Sequence, residues 1–302
     1  MQLTRRTILR TALAAGVSGL LPARSFAASQ LALGTATLDT LSDGHLVLPI
    51  GFISDNPGAP ELLARHGLSG PEIESPCNVT LYRDGTNTVL FDVGSGPDFM
   101  PTAGKLAEAF DVLGVTADEV THVVFTHAHP DHLWGVLDDF DEPIFANATH
   151  LMGRAEYDYW ADPNTVSTIS GGRETFAAGA IRRLQTLEDR IVTFEDGEEI
   201  IPGVGARASY GHTPGHMSFE VRQGNTSALI VGDAIANAHM AFEAPSWASG
   251  SDQDAEMGAK TRLDLLGMLA DGTMPMVGFH LPEGGVGRVE RAGDAFRFIP
   301  EA

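Results

Sequence analysis

Seven residues constrain this chain more than any others: Thr126-His127-Ala128-His129-Pro130-Asp131-His132. They follow an apolar run, Val123-Val124-Phe125, that reads as a buried strand. Residues two apart on a strand point the same way, so His127 and His129 can share one metal ion. Pro130 keeps His129 extended and suits the first turn of a helix. A helix is therefore expected over Asp131–Phe140, with Asp131 and His132 at its start facing the same mouth. Two pairs of ligands in one loop point to two metals. Imidazole and carboxylate without thiolate suit zinc and its neighbours. A loop between a buried strand and a helix is also where catalytic residues belong.

Composition narrows the class. The chain has 302 residues, 43% hydrophobic and 20% charged, enough for a sizeable core. Its 19 basic residues face 40 acidic ones, a net charge of −21, and phosphate binding needs clustered cations. No nucleic-acid partner is expected. Cys77 is the single cysteine, so there is no intramolecular disulfide, and it reads as a small buried hydrophobe.

Residues 1–28 read as a signal segment, with the twin-arginine pattern Thr4-Arg5-Arg6-Thr7-Ile8-Leu9, an apolar run Thr11–Leu21, and Ser25-Phe26-Ala27 at the cleavage positions. The apolar run is too short for a stable membrane anchor. Export by the twin-arginine machinery to the periplasm or medium is expected, leaving residues 29–302 as one domain.

Along that domain, alternation from Gln30 to Leu48, broken at Ser42-Asp43-Gly44, reads as a hairpin. Asn78–Arg83 and Thr88–Asp92 read as strands joined by Asp84-Gly85-Thr86-Asn87. Ile144-Phe145-Ala146 reads as a short strand, and Arg154–Trp160, Arg173–Leu187 and Ala259–Leu269 as helices. Short strands recur from Ile191 to Gly232 and again after Met276. Strands and helices mixed in both halves suggest an α+β fold of two packed sheets with helices outside.

Three later stretches add ligand types. Gly211-His212-Thr213-Pro214-Gly215-His216 is a turn whose glycines and proline can aim a histidine inward. Val231-Gly232-Asp233 ends an apolar strand in a carboxylate, and Phe279-His280 ends another in an imidazole. Taken in this order with the first loop, they resemble the metallo-β-lactamase superfamily. The resemblance implies a four-layer αβ/βα sandwich with its site at one edge of the paired sheets. It implies that His127, His129 and His216 hold one divalent metal and Asp131, His132 and His280 the other, with Asp233 bridging. Zinc is the expected metal, with iron, manganese or cobalt as alternatives. Asp131 and Asp233 are the expected catalytic carboxylates. Asp92 resembles an aspartate that supports the histidine loop, and His212 a residue behind the ligands. Oligomers are common in the superfamily, so a homodimer is carried as an expectation.

The ligand set implies metal-assisted hydrolysis of an ester-type bond by a hydroxide shared between the metals. Among branches, the chain is most similar to exported methyl-parathion-hydrolase-like enzymes, on Leu41-Ser42-Asp43-Gly44, Tyr157-Asp158-Tyr159-Trp160 and the ending Gly287-Arg288-Val289. That resemblance implies an organophosphate triester or aryl ester as substrate, with Trp160, Phe242 and Trp247 at the mouth; for each of these, core packing is the competing reading. His239 lines the pocket or is structural. The acyl-homoserine lactonases share the ligands and make lactones the alternative substrate, but their tyrosine after the bridging aspartate is Ala236 here. A non-hydrolytic metal-binding or iron redox protein is the alternative of another class.

Overall fold

In the computed structural model, which describes residues 27–301, the strand before the histidine loop is buried on both faces. A strand so buried needs a packed layer on each side. On one side Val124 joins Leu38, Phe91 and Leu151 against Phe219, Val221 and Ile230 of a second sheet. On the other, Val123 and Phe125 join Leu81 and Leu90 beneath Leu106, Phe110, Ala177 and Leu184, which come from helices. The second sheet repeats the pattern: Leu229, Val231 and Met276 pack under Leu265, Leu266 and Leu269 of the helix Ala255–Gly272. Alternation along each strand thus builds helices, sheet, sheet, helices, the expected sandwich.

Each sheet has seven strands in chain order. The first runs β1 (Ala27–Leu33), β2 (Ala36–Pro49), β3 (Glu72–Arg83), β4 (Thr88–Phe91), β5 (His122–Phe125), β6 (Thr149–Gly153) and β7 (Ile191–Phe194). Pairing is antiparallel as far as β4 and parallel from β4 to β7. The second runs β8 (Glu199–Ile201), β9 (Val204–Ala208), β10 (Met217–Gln223), β11 (Thr226–Gly232), β12 (Met276–Gly278), β13 (Val286–Ala292) and β14 (Ala295–Pro300). Here only β11 and β12 pair in parallel. Asp92, His127, Asp233 and His280 each follow within two residues the carboxyl end of a parallel-paired strand. Open mixed sheets place their ligands at that edge.

Several local expectations are corrected. The hairpin turns at Gly34-Thr35, and Ser42-Asp43-Gly44 is a bulge inside β2. The bulge drives the Asp43 carboxylate inward, where it accepts bonds from the backbone N–H of Ser95, Gly104 and Leu106. The helix expected to reach Phe140 covers only Pro130–Leu133, with one 3-10 turn over Trp134–Val136. Beyond it Asp138 Oδ1 accepts from Phe140 N and Glu142 N, a local bond that competes with helix. Ile144–Ala146 is a turn, and the strand after it is β6. The twin-arginine segment lies outside the described residues, apart from the backbone of Ala27 and Ala28 in β1. Among the described residues no helix is long and apolar enough to cross a membrane.

Candidate metal centre

The loop after β5 is held by one buried carboxylate. Asp92 accepts from Thr126 N at 2.8 Å and Thr126 Oγ1 at 2.8 Å, and its Oδ2 lies 2.8 Å from His132 Nδ1. Its φ of 63° is left-handed, uncommon for a side-chain-bearing residue. With Nδ1 engaged, His132 turns Nε2 to the interior, the arrangement that orients metal-ligating histidines. His127 and His129 are buried too, and burial holds both rings well below their usual range, leaving neutral imidazoles with free lone pairs.

The second turn places its two histidines the other way round from the sequence expectation. His212, not His216, joins the first loop: the ligand atoms of His127, His129 and His212 lie within 4.8 Å of one another. His212 Nε2 is 2.9 Å from His129 Nδ1 and 3.4 Å from Asp233 Oδ2. His216 has both nitrogens occupied. Nδ1 meets Ser209 Oγ at 2.8 Å, and Nε2 accepts from Asp233 N at 3.0 Å, so its lone pair is spent on the backbone. Its role is to seat the strand end that carries Asp233. Gly232 makes room for it, since a Cβ there would come 2.6 Å from His216 Nε2.

On the opposite side stand Asp131, His132, His280 and Asp233. His132 Nε2 is 3.2 Å from Asp233 Oδ1, and His280 Nε2 is 3.2 Å from both Asp233 Oδ2 and Asp131 Oδ2. Asp233 therefore lies between the groups, with Oδ1 facing His132 and Oδ2 facing both His280 and His212. Burial alone would lower the His132 and His280 pKa values, but the surrounding carboxylates outweigh it and hold both rings well above the usual range. The same ion pairs overcome the burial that would raise Asp233, and its carboxyl falls well below the usual range. Cys77 Sγ forms a further group with Asp131 and His280, and burial pushes its thiol up to about 12.

Do these residues fit a metal? His127 Nε2 and His129 Nε2 are buried with no hydrogen-bond partner, and Asp131 Oδ2, His132 Nε2 and Asp233 Oδ1 meet only other ligand groups, at 3.2–3.4 Å and without hydrogen-bond geometry. Buried polar atoms are rarely left so, and five of them in adjoining groups of ligand types mark a place for cations. The donor set suits zinc-type ions.

Two supporting carboxylates were not legible as such in the sequence. Glu156 is buried and accepts from Ala128 N, Trp160 Nε1, Thr213 Oγ1 and Gly215 N at 2.7–2.9 Å. It ties the first histidine loop to the second, and burial pushes its carboxyl up to about 7. The available signal was its place four residues before Trp160, on the same helix face. Asp252 lies 3.2 Å from His212 Nδ1 and accepts from Arg262 Nη2 at 2.8 Å. Nothing in its local sequence marks it.

The centre opens into a cavity of about 280 Å³ whose floor includes His129, Asp131, His212, Asp233 and His280. Its walls are apolar, with Phe52, Phe99, Met100, Phe176, Met240 and Trp247. Of the expected mouth residues, Trp247 alone lines it. Trp160 is buried behind His129, edge-on at 5.6 Å, with its indole N–H committed to Glu156. Phe242 packs against Phe298, and His239 stacks on His66, both away from this cavity. Ala236 faces the cavity and brings no hydroxyl.

Comparison with known proteins places this geometry. A family profile described as metallo-beta-lactamase superfamily matches residues 73–278. The N-acyl homoserine lactonase AttM of Azorhizobium caulinodans is 32% identical over 122 residues, 39% of this chain and 42% of AttM. The alignment thus spans less than half of that lactonase. The structure of AidC, a dizinc quorum-quenching lactonase in complex with the product N-hexanoyl-L-homoserine, superposes with a TM-score of 0.85 at 23% identity, over 92% of this chain and 99% of AidC. The hydrolase AbOPH, of the beta lactamase superfamily, gives 0.85 at 25% identity over 91% and 98%.

Proposed function

Because this chain belongs to the metallo-β-lactamase superfamily, we propose that it is a dinuclear metal-dependent hydrolase of neutral, hydrophobic esters, lactones foremost. The observation that carries this reading is the cluster of buried imidazole and carboxylate ligand atoms, lacking ordinary hydrogen bonds, at the floor of an apolar cavity.

His127, His129 and His212 would hold one ion, Asp131, His132 and His280 the other, with Asp233 shared. Two such ions supply, when bound, polarisation of a carbonyl oxygen and a nucleophile drawn from water at neutral pH. The remaining work falls to the chain. Asp131 belongs to the cavity floor, and its carboxylate would take the proton of an attacking water and return it to the leaving alkoxide. The walls exclude bulk water and hold the acyl or aryl part. The one arginine of the lining, Arg262, is engaged by Asp252 and by the carbonyls of Pro245 and Trp247. It offers no charge to an anionic substrate, which favours a neutral one.

The lactone preference is supported by AttM and AidC, both named as lactonases. The aromatic walls formed by Phe99, Phe176 and Trp247 equally suit an aryl group, so aryl esters and organophosphate triesters are the second reading. Zinc-reconstituted protein assayed on acyl-homoserine lactones, aryl esters and phosphotriesters tests the choice. Highest kcat/KM on lactones, abolished by a chelator and restored by zinc, is expected. Turnover of phosphotriesters alone would reverse the preference, and turnover insensitive to metal removal would end the hydrolase mechanism.

Export by the twin-arginine route belongs to the same proposal. Replacing Arg5 and Arg6 by lysine should retain the protein in the cytoplasm, as read by cell fractionation, and unchanged distribution would refute it.

A further inference from the structure

Cys77 is outside the seven proposed ligands, yet it is fixed against one of them. Its neighbours in sequence are tied to the His280 turn from both sides. Pro76 O lies 2.7 Å from His280 Nδ1, Asn78 N donates to Phe279 O at 2.9 Å, and Asn78 Nδ2 donates to Leu281 O at 2.8 Å. These bonds register Cys77 beside His280 and turn the ring so that Nε2 faces the acidic centre. There the sulfur of Cys77, a carboxylate oxygen of Asp131 and a ring nitrogen of His280 lie within 4.8 Å of one another, all buried. Asp131 Oδ2 is a buried atom that lies 3.2 Å from His280 Nε2 without hydrogen-bond geometry, and its residue is only 5% exposed. The sulfur thus sits against two groups of the metal centre as well as against apolar side chains.

We propose that Cys77 is a sulfur ligand to the ion held by Asp131 and His280. The proposal rests on the dinuclear reading above. Ligation exchanges the S–H bond for a bond from sulfur to the ion, and the thiol proton leaves to solvent. No electron is transferred. A cysteine, aspartate and histidine donor set biases this position toward thiophilic ions such as zinc and cobalt and away from manganese and magnesium.

The test is optical. The full chain is saturated with cobalt(II), its metal content measured, and its absorption recorded beside that of Cys77→Ser. The expected result is two cobalt ions per chain and a near-ultraviolet sulfur-to-cobalt charge-transfer band. That band disappears in the serine variant while the visible ligand-field bands remain. Zinc affinity at that position, read by competition with a chromophoric chelator, should fall about tenfold or more in the variant. Cys77 is the chain's single cysteine, so a thiolate band has one source. Two bound cobalt ions with no such band in the wild type overturn the proposal and leave the dinuclear reading intact. No bound cobalt overturns both. The wild-type spectrum decides the matter even where the variant fails to fold.

Discussion

Glu156 offers a prediction whose size follows from the structure. Its carboxylate is the shared acceptor for four buried donors, two on the turn that carries His212, one between His127 and His129, and one on Trp160. Glu156→Ala removes every acceptor at once. Each stranded donor costs about 1–3 kcal/mol, and neighbours in one network do not add fully. A loss of about 4–6 kcal/mol is expected. Glu156→Gln keeps one oxygen and turns an amide N–H₂ toward donors, so it should lose about 2–3 kcal/mol. At about 2–4 °C per kcal/mol, the alanine variant should melt about 8–24 °C lower. Because the four bonds set the spacing between His129 and His212, affinity for the first zinc should also fall by about 10–100-fold. Denaturant unfolding of the apo chain gives the first number and chelator competition the second. An alanine variant within about 1 kcal/mol of wild type with undiminished zinc affinity would refute the reasoning.

Three shorter predictions follow. His212→Ala should remove one zinc per chain, whereas His216→Ala should keep the capacity for both and lose stability instead; metal analysis of the two variants separates them. Trp247→Ala should raise KM for long-chain lactones about tenfold with little change in kcat, because it removes wall and no ligand; an equal fall in kcat would place Trp247 in the chemistry. His150, buried against Phe125, is held down to about 4 by burial, with Arg190 adding to it. The unfolded chain takes that proton near 6.5 and the folded chain only near 4. Its stability contribution is therefore complete above about pH 6.5 and declines by about 3 kcal/mol as pH falls to 4. Denaturant midpoints against pH should show a weaker slope in His150→Gln, and an identical slope would contradict the assignment.

The division between what could and could not be read in the sequence has physical causes. His127, His129, Asp131 and His132 were legible because strand periodicity and one proline fix their directions within a few bonds. The choice between His212 and His216 was not. Both flank one turn, and what aims each ring is remote: Asp252 is forty residues after His212, and Ser209 and Asp233 N capture His216. Two packed sheets with helices outside were legible from strands and helices mixed in both halves, and the four-layer sandwich followed from the family resemblance. The helix beyond Leu133 was overestimated because Asp138 closes a local turn. Trp160 was expected at the mouth because it matches an aromatic position of the methyl-parathion-hydrolase-like enzymes. Its indole nitrogen finds its acceptor in Glu156 instead, and that bond draws the ring behind His129.

The most direct test of the account is the metal content of purified chain reconstituted with zinc, measured beside Asp233→Ala. Asp233 lies between the groups of ligands, so the account predicts two ions per wild-type chain and fewer in the variant. A wild-type chain that binds no zinc, or an Asp233→Ala chain that still binds two as tightly, would contradict a shared dinuclear centre.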